Sequence, residues 1–578
     1  MTAPWLAAII GMIILGMALR WVELDARPMH HDESLHGAYS KYQFNEPERQ
    51  FYKYNPMLHG PLLYHMVPLS FYFFGETKLA TRIPIALIAC VLLFAPLLLS
   101  RRVDRSLIFL WTAVLALSPS ILYWGRFIRH DMMGLALLIG IALTSVISHS
   151  LLKFSLLGLL IGLHFCVKED VYVQLVMLFG FLIFEAYYSL RKNESSLFMK
   201  MARNVWDNWG ATLLGIGLAV FVYCYFYSAG FQYWDGVLDG LYRKSLHYWF
   251  DQHHAERISG PFSFQFLILS IYELPIVILL LAQVVHFYLG RGIVEIGLFL
   301  LTLIIAALMH LQFNYTEQWP AIWSNILKLK IPLDLYLAIP LVLHAVLTTR
   351  THLLDKKPHL AIASYIAFAS LFTYSYLGEK VPWLALYPLV ALVIYLGAYF
   401  EDLLNSWFFN LMTFFVIVGL CVPLLRTNFT HAGEKTELIS QVHTTKAYEE
   451  TMFGLEEHLY HGRGNILILG SNLWPSTWYL YGLPGFIFSS PIDRRPQFDF
   501  VVGDHPDEEL ERQLEATHSK RLVPMRSWWL PDYKKLGVSN VLKAWAFGTP
   551  WNEPGTKWSA IFERRIPSGT IEPLENNH

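Results

Sequence analysis

Charge is what this chain has least of. Of its 578 residues only 15% are Asp, Glu, Lys or Arg, whereas 54% are hydrophobic and 15% aromatic; soluble domains carry about 25% charged residues. That balance excludes an ordinary soluble fold. Cysteine is as scarce, and Cys90, Cys166, Cys224 and Cys421 all lie inside apolar stretches, which excludes a disulfide framework and a CxxC metal site. No GxxxxGK[ST] loop is present, so an ATP-driven pump is not built from this chain alone, and a net charge of −1 argues against a nucleic-acid partner.

What is present is length in apolar runs. Thirteen stretches, near 3–21, 79–99, 107–125, 132–149, 154–167, 171–189, 210–229, 263–289, 293–310, 332–349, 360–377, 384–400 and 407–425, read as transmembrane helices, since a helix of about 20 apolar residues crosses about 30 Å of hydrocarbon. The first lacks a basic leader and a small-residue cleavage site, so it reads as a retained span. The segment 55–76, aromatic and interrupted by prolines, reads as interfacial or re-entrant. "RRVDR" (101–105), "RKNESSLFMKMAR" (191–203) and "RTHLLDKK" (350–357) form compact basic loops and are assigned to the cytoplasm.

Beyond residue 427 the chain turns polar. Short apolar runs at 465–471, 485–490, 498–504, 521–525 and 559–565 alternate with helical stretches at 446–461 and 507–518, the pattern of a soluble α/β domain. The expected organisation is a membrane module over 1–427 and an extracytoplasmic domain over 428–578. No GxGxxG or nucleophile elbow marks that domain as a second enzyme.

Five charged clusters sit at predicted span ends on the outer face: "HHDES" (30–34), "GRFIRHD" (125–131), "VKEDVY" (167–172), the stretch 241–264 and "YSYLGEKVPW" (374–383). Ionisable groups at a membrane edge cost about 2.5–3.5 kcal/mol each at mid-bilayer on insertion scales, which makes them candidates for function. Carboxylates beside Arg and Lys next to lipid suit a sugar joined through phosphate to a polyprenol. Cations would hold the phosphate, and a carboxylate would take the proton of an attacking hydroxyl. Plainer readings stand beside this one: a helix cap at Asp32 or Ser34, a zinc site from His30, His31, His36 and His59, a salt bridge within "GRFIRHD", a snorkelling Lys168, a solvated turn at Glu379 and Lys380, and an interfacial helix over 242–254.

The Asp32-Glu33 pair after the first span resembles the GT-C superfamily of membrane glycosyltransferases, including the protein O-mannosyltransferase and aminoarabinose transferase branches. More narrowly, "HHDES", "HGPLLY", "GRFIRHD", "KEDVY", the pattern from Tyr248 to Phe262 and "GEKVPWL" together resemble a prokaryotic group labelled flippase-activity-associated proteins. The resemblance implies a multi-pass protein of the prokaryotic cytoplasmic membrane, with its active site outside. It implies a polyprenyl-phosphate-linked sugar donor, transfer with inversion to a glycan, lipid or protein acceptor, Asp32 as general base and Glu33 orienting acceptor or donor. Arg126, Arg129, Lys168, Lys380 and Arg243 are the candidates for donor phosphate. His31, His59, Glu169, Asp170, Tyr248, Trp249, Glu379 and Trp383 are the candidates for sugar or acceptor. Asp131 is the candidate for a divalent cation, although no plain DxD stands there. A lipid-linked glycan transporter and a non-catalytic assembly factor are the rival readings.

Overall fold

The computed structural model describes residues 3–255, 258, 260–316, 334–401, 407–462, 464–470, 473–488, 498–503 and 508–565. Arg257 and the side chains of Gln252, His253 and His254 lie outside the described residues. Two compact units emerge, and neither is a single stretch of chain. The first comprises 1–24, 43–432 and 531–551, and the second 25–42, 433–530 and 552–578. The helix Val538–Phe547 thus belongs with the membrane helices, because Arg426 donates to the Trp545 carbonyl (2.8 Å) and the Trp545 indole donates to that of Gly419 (3.2 Å). The segment 25–42 belongs with the polar part of the chain.

The first unit is a helical membrane module. Among the described residues eight helices are long and apolar enough to cross a bilayer, and nine if the pair Phe264–Tyr272 and Leu274–Leu289, bent by 114°, is one span. The remaining expected spans are helices of a different kind. Arg105–Leu117, His130–Val146 and Ser150–Phe165 are short. The 107–125 run breaks because Ser118 caps a new helix, Pro119–Trp124, accepting from the Ile121 amide (3.1 Å) with proline at its first position. Glu273, buried at the bend of the 264–289 pair, accepts from the Ser118 hydroxyl (2.7 Å) and the Ser120 amide (3.0 Å), tying the bend to that break. Pro358–Tyr376 is long enough but diluted by Ser364, Ser370, Thr373 and Ser375.

Within this module the helices Ser150–Phe165 and Trp209–Tyr227 pack backbone to backbone. A methyl on Gly158 would lie 1.9 Å from the Gly215 carbonyl oxygen, and one on Gly162 would lie 2.8 Å from that of Ala219. Small residues four apart on both helices permit the approach that dispersion between membrane helices needs.

Among the described residues the second unit carries a six-stranded mixed sheet: β1 (His443–Thr444), β2 (Ile466–Ile468), β3 (Phe486–Phe488), β4 (Phe500–Gly503), β5 (His518–Trp528) and β6 (Gly555–Arg564), in the order β1-β5-β6-β4-β2-β3. β2 runs parallel to β3 and β4, and the other pairings are antiparallel. All five apolar runs singled out in the sequence are strands here. A register shift at Pro524/Arg526 accommodates a proline that has no N–H for the ladder. Leu467, Val501, Phe562 and Leu514 form its buried core.

Gly158→Val is expected to lower module stability by about 1–3 kcal/mol through overpacking, read as a reduced thermal midpoint in detergent. An unchanged midpoint would mean that the close approach at Gly215 does not hold these helices together.

Candidate active site

Four of the sequence clusters meet in the first unit. Arg129 precedes the helix His130–Leu143, which places Asp131 in its first turn, where a carboxylate is favoured by the helix dipole. Lys168 sits in the turn between helices Ser150–Phe165 and Asp170–Arg191. The two cations share one acid: Arg129 Nε lies 2.8 Å from Asp131 Oδ2, and Lys168 Nζ lies 2.7 Å from Oδ1. All three side chains are buried, and the Arg129 guanidinium stacks 3.5 Å above the Trp383 ring.

Against this triad stands a second pair. His59 Nδ1 meets Glu169 Oε2 at 2.9 Å, and Tyr54 donates to Glu169 Oε1 at 2.6 Å. The His59 ring lies parallel to Trp249 with centroids 5.3 Å apart and edge-on to His130 at 5.2 Å. Burial alone would raise the Glu169 carboxyl, but the His59 ring and the hydrogen bonds from His59 and Tyr54 outweigh it and hold its pKa below the ordinary carboxylate value.

The backbone is forced to serve this arrangement. His59 has φ of 64°, a left-handed conformation uncommon outside glycine, and its carbonyl accepts from the Tyr52 hydroxyl at 3.0 Å. At Gly60 a methyl would lie 2.3 Å from the Cys166 carbonyl oxygen. Gly60 and Leu62 donate their amides to the Val167 and Cys166 carbonyls (3.0 and 2.9 Å), locking the loop onto the turn that carries Lys168.

Asp170 begins a polar chain that continues into the helices, accepting from Gln174 (3.3 Å), whose carbonyl oxygen meets His164 at 2.6 Å. The same unit holds an apolar cavity of about 730 Å³, lined among others by Leu62, Met66, Met133, Leu137 and Leu163. Leu62 and Met133 are close chain neighbours of His59 and Asp131.

Other candidates stand elsewhere. The Arg126 guanidinium donates to the Val22, Glu23 and Asn428 carbonyls and stacks over Phe429. Lys380 Nζ donates to the Ser375 and Leu377 carbonyls at the end of helix Pro358–Tyr376. Arg243 is half-exposed beside Asp235 (3.4 Å), Tyr248 packs edge-on against Trp249, and Glu379 is partly exposed. Sequence reasoning did not single out Tyr54, His130, Gln174, His164 or Tyr387, whose hydroxyl lies 3.5 Å from the Asp131 carbonyl. His130 stood inside a quoted motif; the others carried no local signal. Among the described residues no three His, Cys, Asp or Glu side chains are placed to hold a metal ion.

The Asp-Glu loop lies in the second unit. The helix His31–Asn45 is capped by Glu33, whose Oε2 accepts the His30 amide (3.1 Å) and whose Oε1 meets Arg27 (3.4 Å), so the cap is a capping box and not the Asp32 or Ser34 cap weighed above. Glu33 is fully buried, whereas Asp32 keeps partial exposure. His30 Nε2–H donates to the Gln441 carbonyl, and Lys41 donates to the Trp478 carbonyl (2.8 Å). Desolvation and the nearby Arg526 push His31 down to about 3, and burial lowers His30 as well.

Asp131→Asn is expected to cost about 3–5 kcal/mol by stranding two buried cations, and adding Lys168→Met should recover about half of it in a double-mutant cycle. Strict additivity in thermal unfolding would show that the triad is not one interacting group. For the second unit the sign is fixed by His31. Its proton affinity is lower folded than unfolded, so stability is full above the unfolded pKa of about 6.5 and falls as pH drops from there towards 3. His31→Gln should flatten that acid limb, measured as unfolding midpoint against pH.

No family model matches the chain, and no curated protein matches it. Among solved structures it is similar to ArnT from Cupriavidus metallidurans bound to undecaprenyl phosphate, with 13% identity, a TM-score of 0.45, and coverage of 90% of this chain and 96% of that one. It is also similar to the oligosaccharyltransferase of Archaeoglobus fulgidus tethered with an acceptor peptide containing the NVT sequon, with 12% identity, a TM-score of 0.47, and coverage of 94% and 71%. Both are GT-C glycosyltransferases.

Proposed function

We propose that this multi-pass membrane protein is a glycosyltransferase of GT-C type that transfers a sugar from a polyprenyl-phosphate donor to an acceptor hydroxyl at the extracytoplasmic face of a prokaryotic cytoplasmic membrane. The observation that carries the reading is the buried set Arg129, Asp131 and Lys168, in a unit that also holds an apolar cavity lined by Met133, two residues along the helix from Asp131. An amphiphile with an anionic head and a hydrocarbon tail matches that pairing of surfaces. Lys168 has two N–H donors beyond the one given to Asp131, and an ammonium is a point charge that can donate to a phosphate oxygen in several directions.

In the proposed reaction the acceptor oxygen attacks the anomeric carbon, and the bond from that carbon to the phosphate oxygen breaks with its electron pair going to phosphate. The hydroxyl proton passes to Asp32. Cations stabilise the charge that builds on the departing phosphate. Asp32 keeps the base role because Glu33, its neighbour, has both oxygens engaged in the helix cap. The acceptor side is assigned to Trp249, Trp383 and Tyr248, whose rings suit a sugar face, with no metal ion assigned to Asp131, because both its oxygens hold cations.

Asp32→Asn should reduce sugar transfer in membranes by about a hundred- to ten-thousand-fold while donor binding and the thermal midpoint stay near wild type. Transfer at the wild-type rate would remove Asp32 from the mechanism. Retained lipid-linked flux with no transfer activity in the wild type would favour the transporter reading.

A further inference from the structure

The cation cluster is short of the charge its proposed ligand needs. Arg129 and Lys168 share Asp131, Glu169 stands against His59 and Tyr54, and Asp170 adds a third carboxyl near Lys168. A phosphate entering that set brings a negative charge into a buried region, where an unmatched charge is expensive. His59 is the group placed to supply the missing positive charge. Its Nδ1 is committed to Glu169, Tyr54 fixes the other Glu169 oxygen, Trp249 and His130 bound the ring, and Nε2 has no hydrogen-bond partner among the described residues. Asp131 is within electrostatic reach of the same ring.

We propose that binding of the lipid phosphate takes up one proton at His59, whose Nε2–H then donates to a phosphate oxygen while Glu169 and Tyr54 hold the imidazolium in place. The left-handed backbone at His59 and the methyl-free approach at Gly60 fix where that nitrogen points. Glu169 is the positioning residue, favouring the charged ring over the neutral one. The same proton serves the departing phosphate during transfer, since a donor already aimed at the oxygen that gains charge needs no rearrangement. No electron changes hands: one proton moves from solvent to the ring on binding and returns on release. This inference rests on the donor reading above.

The test uses the full-length protein in phosphatidylcholine nanodiscs and undecaprenyl methyl phosphate, a phosphodiester with no titrating group of its own. Calorimetry in buffers of different ionisation enthalpy, run across a pH series, should show uptake rising to about one proton per ligand on the alkaline side. Affinity should fall about tenfold per pH unit there. His59→Asn, chosen because asparagine tolerates left-handed backbone, should abolish proton uptake and leave an affinity independent of pH. Glu169→Gln should move the pH midpoint of binding downward, a shift that a merely structural role would not produce. Equal affinity at every pH in wild type and His59→Asn alike overturns this inference and leaves the donor reading intact. Failure of the wild type to bind the probe at any pH overturns the donor reading itself.

Discussion

A charge taken out of water must bring its partner with it, and the sequence positions of this chain are arranged around that constraint. Arg20 lies fully buried in the first span and donates to the Gly16 and Leu115 carbonyls, both at 2.8 Å; Arg82, equally buried, reaches the Leu24 carbonyl at 2.9 Å. Arg126 and Lys380 do the same with carbonyls at segment ends. Main-chain carbonyls cannot leave, so these cations are ties between segments, and an anion arriving beside them would have to compete with the fold. Arg129 and Lys168 share a carboxylate, that of Asp131. A ligand can join such a set, or take one oxygen's place, without unfolding a helix end.

Burial does not separate the two groups, since both are buried. The backbone beside the shared carboxylate is irregular at His59. A left-handed histidine costs free energy of order 1–3 kcal/mol, and here the surrounding hydrogen bonds from Tyr52, Gly60 and Leu62 over-determine it. The Cys166 carbonyl has no room for a side chain at residue 60. The loop from 58 to 62 is therefore clamped onto the turn that bears Lys168 and Glu169, and two distant parts of the chain act as one rigid support.

Much of this was legible in the sequence, for reasons that differ by scale. Apolar length gave the membrane helices because a bilayer demands it of every span, and alternation of apolar runs with turns gave all five strands it was used to find. The meeting of "GRFIRHD" with "VKEDVY" was foreshadowed by charge at span ends, where only function or a partner justifies it. Arg126 and Lys380 look like Arg129 and Lys168 in one dimension, yet whether a cation meets a carbonyl or a carboxylate is decided by which helix end lies opposite. Gly158 and Gly162 carried a small-residue spacing that hydropathy does not weigh. Tyr54 and Gln174 had no pattern to give them away, and the split of unit boundaries at 25–42 and 531–551 follows from side-chain ties, such as Trp545 to Gly419, that composition cannot register.

Two adjacent acids, Asp32 and Glu33, show how the same constraint assigns roles. At the start of a helix the third position reaches back to the cap amide, so Glu33 is drawn into the capping box and closed off by Arg27. Asp32, one position earlier, points off that axis and keeps contact with solvent. A carboxylate that has two fixed partners is poorly placed to accept a proton, because protonation would forfeit both interactions. Of the two acids, Asp32 is the one that solvent still reaches.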